Sequence, residues 1–213
     1  MPHIHGCAWI HDDIMKNYYK EGTYEYDTDK LPELVNKIVT CELPWLAQDL
    51  PDYPSRRVVQ DLQSHTCSKT CKKKGTNCRF NYPRMPSEET IISLPIDKDS
   101  KVDQQKLEDS EVIIEKMRNY LQSEKFKPSE SLRDILQHLK ISPEAYKNAL
   151  RVSKRGKQVV LKRKPSECAI NNYNSRCLEV FQSNMDIQFC TDAYAVCTYV
   201  CDYWSKGMYI NDI

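Results

Sequence analysis

The chain has 213 residues, 40% of them hydrophobic, with 31 Lys and Arg against 30 Asp and Glu for a formal charge of +1. That length is enough to bury a core, and the near-neutral total excludes assigning a polyanionic partner from net charge alone. Only five glycines occur and none stands in a GxxxxGK[ST] or GxGxxG setting, so the chain is not a self-contained ATPase or helicase.

In chain order, Pro2 to Ile10 alternates as a strand, placing His3, His5, Cys7 and Trp9 on one face. Residues 11–30 are polar and rich in Tyr and Asp, and read as loop or edge structure. Lys30 to Thr40 has apolar side chains at helical spacing, and a second short helix starts near Arg56. A Cys-rich loop covers His65 to Arg84. Residues 85–109 are acidic and predict a loop with one edge strand.

Helices are predicted over Ser110 to Leu121, over Ser131 to Leu139, and from the Ser142 cap and Pro143 through Arg151. Lys157 to Pro165 reads as a strand, Ala169 to Asn174 as a short strand running into a turn, Cys177 to Phe181 as a helix, and Asn184 to Phe189 as a strand. A last helix covers Asp192 to Lys206, with Gly207 as its C′ residue. The expected class is α+β, an antiparallel sheet with flanking helices, a zinc loop and a helical insert. Its parts are 1–64, 65–84, 85–153 and 154–213.

Ten cysteines raise the choice between disulfides and metal. The start of the chain has no basic leader, and no apolar run approaches the roughly 20 residues of a membrane span, so a reducing intracellular setting without membrane contact is expected. His65, Cys67, Cys71 and Cys78 lie within 14 positions. That spacing suits Cys3His zinc ligation, with Gly75 relieving the turn; the alternative is free thiols in a basic loop.

His3 and His5, two apart on a strand, can share one divalent ion or simply be exposed imidazoles. Tyr199, Tyr203 and Lys206 fall at i, i+4 and i+7 of one helix. A phenol with a pKa near 10 is a poor nucleophile unless a cation stabilises the phenolate, which Lys206 is placed to do. The other reading is an amphipathic helix packed on the sheet.

The +1 total conceals two acid-free basic blocks. His65 to Arg84 carries six Lys or Arg, among them Lys72, Lys73, Lys74 and Arg79; Lys147 to Lys164 carries eight, among them Lys154, Arg155, Lys162, Arg163 and Lys164. Such blocks fit a phosphate backbone, with Phe80, Tyr82 and Tyr173 available to stack on bases; they also occur as solvated faces.

Together, His-x-His on an early strand, a Cys loop ending CRFNYPR, then KRKPSECAINNYN, NMDIQF and DAYAVCTYVCDYWSK resemble the replication-initiator (Rep) nuclease domain of Helitron transposons, a branch of the HUH endonucleases. The resemblance covers nearly the whole chain, including SLRDILQHLKISPEAYKNALRVS. It implies nicking and joining of single-stranded DNA in rolling-circle transposition, in a nuclear setting. His3 and His5 would hold Mg²⁺ or Mn²⁺, Tyr199 and Tyr203 would be paired nucleophiles, and Lys206 would steady phosphate or phenolate.

Relatives of this type continue into a helicase domain and carry a strand ahead of the His pair with a Glu or Gln as third metal ligand. Here Met1 directly precedes Pro2, so the expectation is a truncated fragment, weak or inactive as an enzyme, with Asp186 or Gln188 as candidate substitutes for the missing ligand. The competing expectation is a non-catalytic, zinc-stabilised DNA-binding or interaction module derived from a transposon.

Overall fold

The computed structural model describes residues 6–44, 54–68, 71, 78–97, 99–154, 156–191, 196–198 and 201. Among these residues the chain is mixed α and β: α1 (Asp12–Met15), α2 (Leu31–Ile38), α3 (Arg56–Gln63), β1 (Ile91–Pro95), α4 (Lys101–Leu121), α5 (Leu132–Leu139), α6 (Pro143–Leu150), β2 (Val152–Ser153), β3 (Gln158–Val160) and α7 (Ser175–Phe181).

The sheet is small and mixed, in the order β2-β1-β3. β1 runs parallel to β2, with Leu94 opposite Val152. It runs antiparallel to β3, with Ile91 opposite Val160 and Ile92 opposite Val159. The strand expected at an edge is therefore the central one. Successive strand residues point to opposite faces, so Ile91 and Ile92 enter different cores. Ile91 packs with Met117, Leu121, Ile135, Leu136, Tyr146 and Leu150 of the helices that follow. Ile92 packs with Leu31, Leu34 and Val35 of α2, and with Met15 and Leu161. Helices thus cover both faces of β1.

Local chemistry explains most helix ends. Ser131 and Asp134 form a reciprocal capping box on α5, which stops at Lys140 in the left-handed region (φ 55°). Ser142 caps α6, whose first residue is Pro143. α4 starts nine residues before the expected Ser110, because Ser100 accepts a hydrogen bond from the Asp103 amide. Its first turns carry exposed polar side chains and so gave no apolar periodicity to detect. Met117 on α4 is fully buried. Met117→Ala is expected to cost about 2–5 kcal/mol, read as a lower urea midpoint.

Other expected strands form only in part. Beyond β3 the chain stays extended, with Leu161, Arg163 and Pro165 buried and Lys162 and Lys164 exposed, and a bridge pairs Ser87 with Arg163. The Ala169–Asn174 segment makes isolated bridges, Ser64 with Ile170 and Thr40 with Tyr173. Residues 6–10 and 184–189 carry no strand pairing, yet 185–190 keep the alternation: Met185, Ile187 and Phe189 are half-buried while Asp186, Gln188 and Cys190 are exposed. The last helix is described only at 196–198 and 201. No helix among the described residues is long and apolar enough to cross a membrane.

Candidate metal centre

His65 follows α3. Its amide donates to the Ala169 carbonyl at 2.8 Å, just after the bridge between Ser64 and Ile170. Its ring stacks on Tyr82, with centroids 4.1 Å apart and planes 13° apart, and meets Phe80 edge-on at 5.8 Å. Tyr82 is itself buried, and its hydroxyl donates to Asn171 Oδ1. The Asn171 amide in turn donates to the Gln63 carbonyl at 2.8 Å. Tyr82, anchored through Asn171, therefore forms the floor on which the imidazole rests.

From that position His65 Nε2 lies 3.4 Å from Cys67 Sγ, 3.3 Å from Cys78 Sγ and 3.8 Å from Cys71 Sγ. His65, Cys67 and Cys78 bring their ligand atoms within 4.8 Å of one another and could hold a metal ion; no other such group occurs among the described residues. Cys71 stands within reach of the imidazole but outside that mutual distance. Two turns frame the group. The Cys71 amide donates to the Ser68 carbonyl, and the Asn81 amide, with Asn81 in the left-handed region (φ 59°), donates to the Cys78 carbonyl. A bond from the Arg79 amide to the Cys71 carbonyl at 3.0 Å ties the turns together.

The local electrostatics favour ligation. Burial, then the charge of Arg84, lowers the His65 pKa and keeps the ring neutral, the form that binds metal. Hydrogen bonds from Ser68, backbone first, lower the Cys71 thiol. The buried Cys41 and Cys168 differ: burial raises their pKa to about 11 and about 12, which leaves them inert core thiols.

The expected DNA contacts divide. Arg163 is 4% exposed, and its guanidinium donates to the carbonyls of Glu167 (2.5 Å) and Ile170 (2.7 Å) and to Asn172 Oδ1 (2.9 Å). It is a structural residue and cannot reach a phosphate. Tyr82 (5% exposed) and Tyr173 (2%) are likewise core and cannot stack on bases. Lys154 pairs with Glu111 at 3.4 Å, Lys147 with Glu89 at 2.6 Å and Lys157 with Glu25 at 3.7 Å, so distant acids offset much of the second basic block. Lys162, Lys164 and Arg79 are exposed and make no ion pair among the described residues.

His3, His5, Lys72, Lys73, Lys74, Arg155, Tyr199, Tyr203 and Lys206 lie outside the described residues. Asp186 and Gln188 share an exposed face and are hydrogen-bonded to each other at 3.1 Å. Tyr82, Asn171 and the Arg163 network were not apparent from the sequence. The alternation of Leu161, Arg163 and Pro165 was the available signal for Arg163. Comparison with protein-family models, with curated proteins and with solved structures finds no match to this chain.

Proposed function

We propose that this chain is a Helitron-type Rep domain that nicks and joins single-stranded DNA through Tyr199 and Tyr203, with a zinc-stabilised loop over residues 65–84. The observation that carries the reading is where the two ends of the chain are led. Ile10, at the end of the His-bearing segment, and Ile187 and Phe189, which precede the two-Tyr segment, pack against one core cluster. Cys190 has its pKa raised by burial first and by the nearby Cys7 second. Residues far apart in sequence, next to the segments that would carry the metal ligands and the nucleophiles, thus pack against the same core.

In this reading a phenol oxygen attacks the scissile phosphorus, a phosphotyrosine forms on the 5′ end, and the bond to the 3′ oxygen breaks. The phenol proton is released, and the 3′ oxygen leaves as a hydroxyl. A second Tyr lets one strand end stay attached while another is cut. The covalent link conserves the phosphodiester energy, so rejoining needs no ATP. His3 and His5 would hold Mg²⁺ or Mn²⁺, which when bound neutralises charge on the phosphate. Lys206 would steady the phosphate or phenolate.

Zinc is the ion the donor set favours. Typical Zn–S and Zn–N bonds put tetrahedral N and S ligands about 3.6 Å apart. The His65 Nε2 distances to Cys67 and Cys78, at 3.4 and 3.3 Å, lie close to that edge, while Cys71, 3.8 Å from the ring nitrogen, stands outside the mutual distance of the three.

Incubation with mixed-sequence single-stranded oligonucleotides and Mn²⁺ is expected to give a denaturation-resistant protein–DNA adduct. The double variant Tyr199→Phe, Tyr203→Phe is expected to give none. Strand binding without any adduct in the unaltered chain would replace this reading with the non-catalytic module.

A further inference from the structure

We infer that the exposed Arg79–Phe80 pair is a base-stacking contact for an unpaired nucleic-acid strand, held in place by the metal-ligating loop. The inference rests on the single-strand reading above and assigns part of the binding to this turn. Arg79 and Phe80 are the central residues of the turn closed by the Asn81 amide and the Cys78 carbonyl at 2.9 Å. Phe80 is 45% exposed, while the other two aromatics that the basic blocks offered, Tyr82 and Tyr173, are buried. The Arg79 guanidinium carbon lies 4.5 Å from the Phe80 ring centroid. A half-exposed ring with a cation over it can take a base on its exposed part and a phosphate on the guanidinium.

Charge selects the occupant. The stretch from His65 to Arg84 has six Lys or Arg and no acid. Among the described residues Arg79 makes no ion pair, in contrast to Lys147, Lys154 and Lys157. An apolar protein segment could cover Phe80 but would leave this charge unanswered, whereas an unpaired strand offers both a π-face and phosphates.

The link to the metal is geometric. Cys78, immediately before Arg79, is a candidate ligand. The Arg79 amide is bonded to the carbonyl of Cys71, and the Phe80 and His65 rings meet in a T-shaped contact. Loss of the ion would release two of these supports, Cys78 and His65.

The test measures fluorescence anisotropy of a labelled single-stranded oligonucleotide of mixed sequence, with metal content determined on every sample. Phe80→Ala is expected to keep its metal and bind about five- to 150-fold more weakly, the range for loss of one base–aromatic stack. Phe80→Trp is expected to bind within about twofold of the unaltered chain, since any aromatic face can stack. Arg79→Ala is expected to bind more weakly with a flatter salt dependence. Chelation is expected to mimic Phe80→Ala, and added Zn²⁺ to reverse it.

Full-affinity binding by metal-replete Phe80→Ala would overturn this inference and leave the single-strand reading standing. No binding by the unaltered chain would overturn both. An unchanged affinity after chelation would break the proposed link to the metal.

Discussion

Arg163→Leu is expected to lower the unfolding free energy by about 3–5 kcal/mol, while Lys162→Ala and Lys164→Ala on either side each change it by no more than about 0.5 kcal/mol. The contrast follows from one extended segment with period two. Lys162 and Lys164 project into solvent, and Arg163 between them projects inward. Leucine fills part of the volume but donates nothing. The carbonyls of Glu167 and Ile170 and the Asn172 side chain lose their partner at a buried site, and each unsatisfied acceptor costs about 1–3 kcal/mol, less where water enters.

Against a typical total of about 5–15 kcal/mol, that loss is large. Arg163→Lys is expected to recover only part of it, because an ammonium cannot span three acceptors with a rigid fork. Urea titration followed by circular dichroism measures all four variants. In binding assays the order reverses: each exposed Lys that meets a strand phosphate contributes about 0.7 to the slope of log affinity against log salt. An Arg163→Leu variant with an unchanged urea midpoint and weaker strand binding would make it a surface contact after all.

This segment also marks how far sequence reasoning reached. Features fixed by neighbours in the chain were legible: the caps at Ser131 and Ser142, the apolar stripe of α2, and the His65–Cys78 spacing all depend on separations of a few residues. Features fixed by distant partners were not. β1 is central because β2 and β3, some sixty residues later, pair with both of its edges, and nothing inside the acidic stretch around it encodes that. The second basic block is acid-free in sequence, yet Glu25, Glu89 and Glu111 reach it from three other places. Tyr82 looks like a free aromatic in a basic loop until Asn171, 89 residues away, accepts its hydroxyl.

Cys78→Ser is expected to lose the bound metal and to lower the melting temperature by about 10 °C in zinc-containing buffer. An ion that binds only the folded chain, present at about 100 to 1,000 times its dissociation constant, stabilises by about 2.7–4.1 kcal/mol. In a chain of this size each kcal/mol moves the midpoint by about 2–4 °C. Chelation of the unaltered chain should produce the same drop, and chelation of Cys78→Ser no further drop. Cys71→Ser discriminates between ligand sets: as a fourth ligand it should cost nearly as much as Cys78→Ser, whereas a three-residue site would retain metal without it. Acid should reproduce the loss, because the ligands must be deprotonated. With the His65 pKa held below its ordinary 6.5, the stability tied to its neutral ring is fully present above that pH and is lost as the pH falls through the lower folded value. Among the described residues, the His65 imidazole lies near both buried thiols, Cys71 and Cys78, and the Ser68 hydroxyl lies near Cys71. If metal content and melting temperature are indifferent to both serine variants, the loop is held by thiol–imidazole hydrogen bonds and the stacked Tyr82 alone.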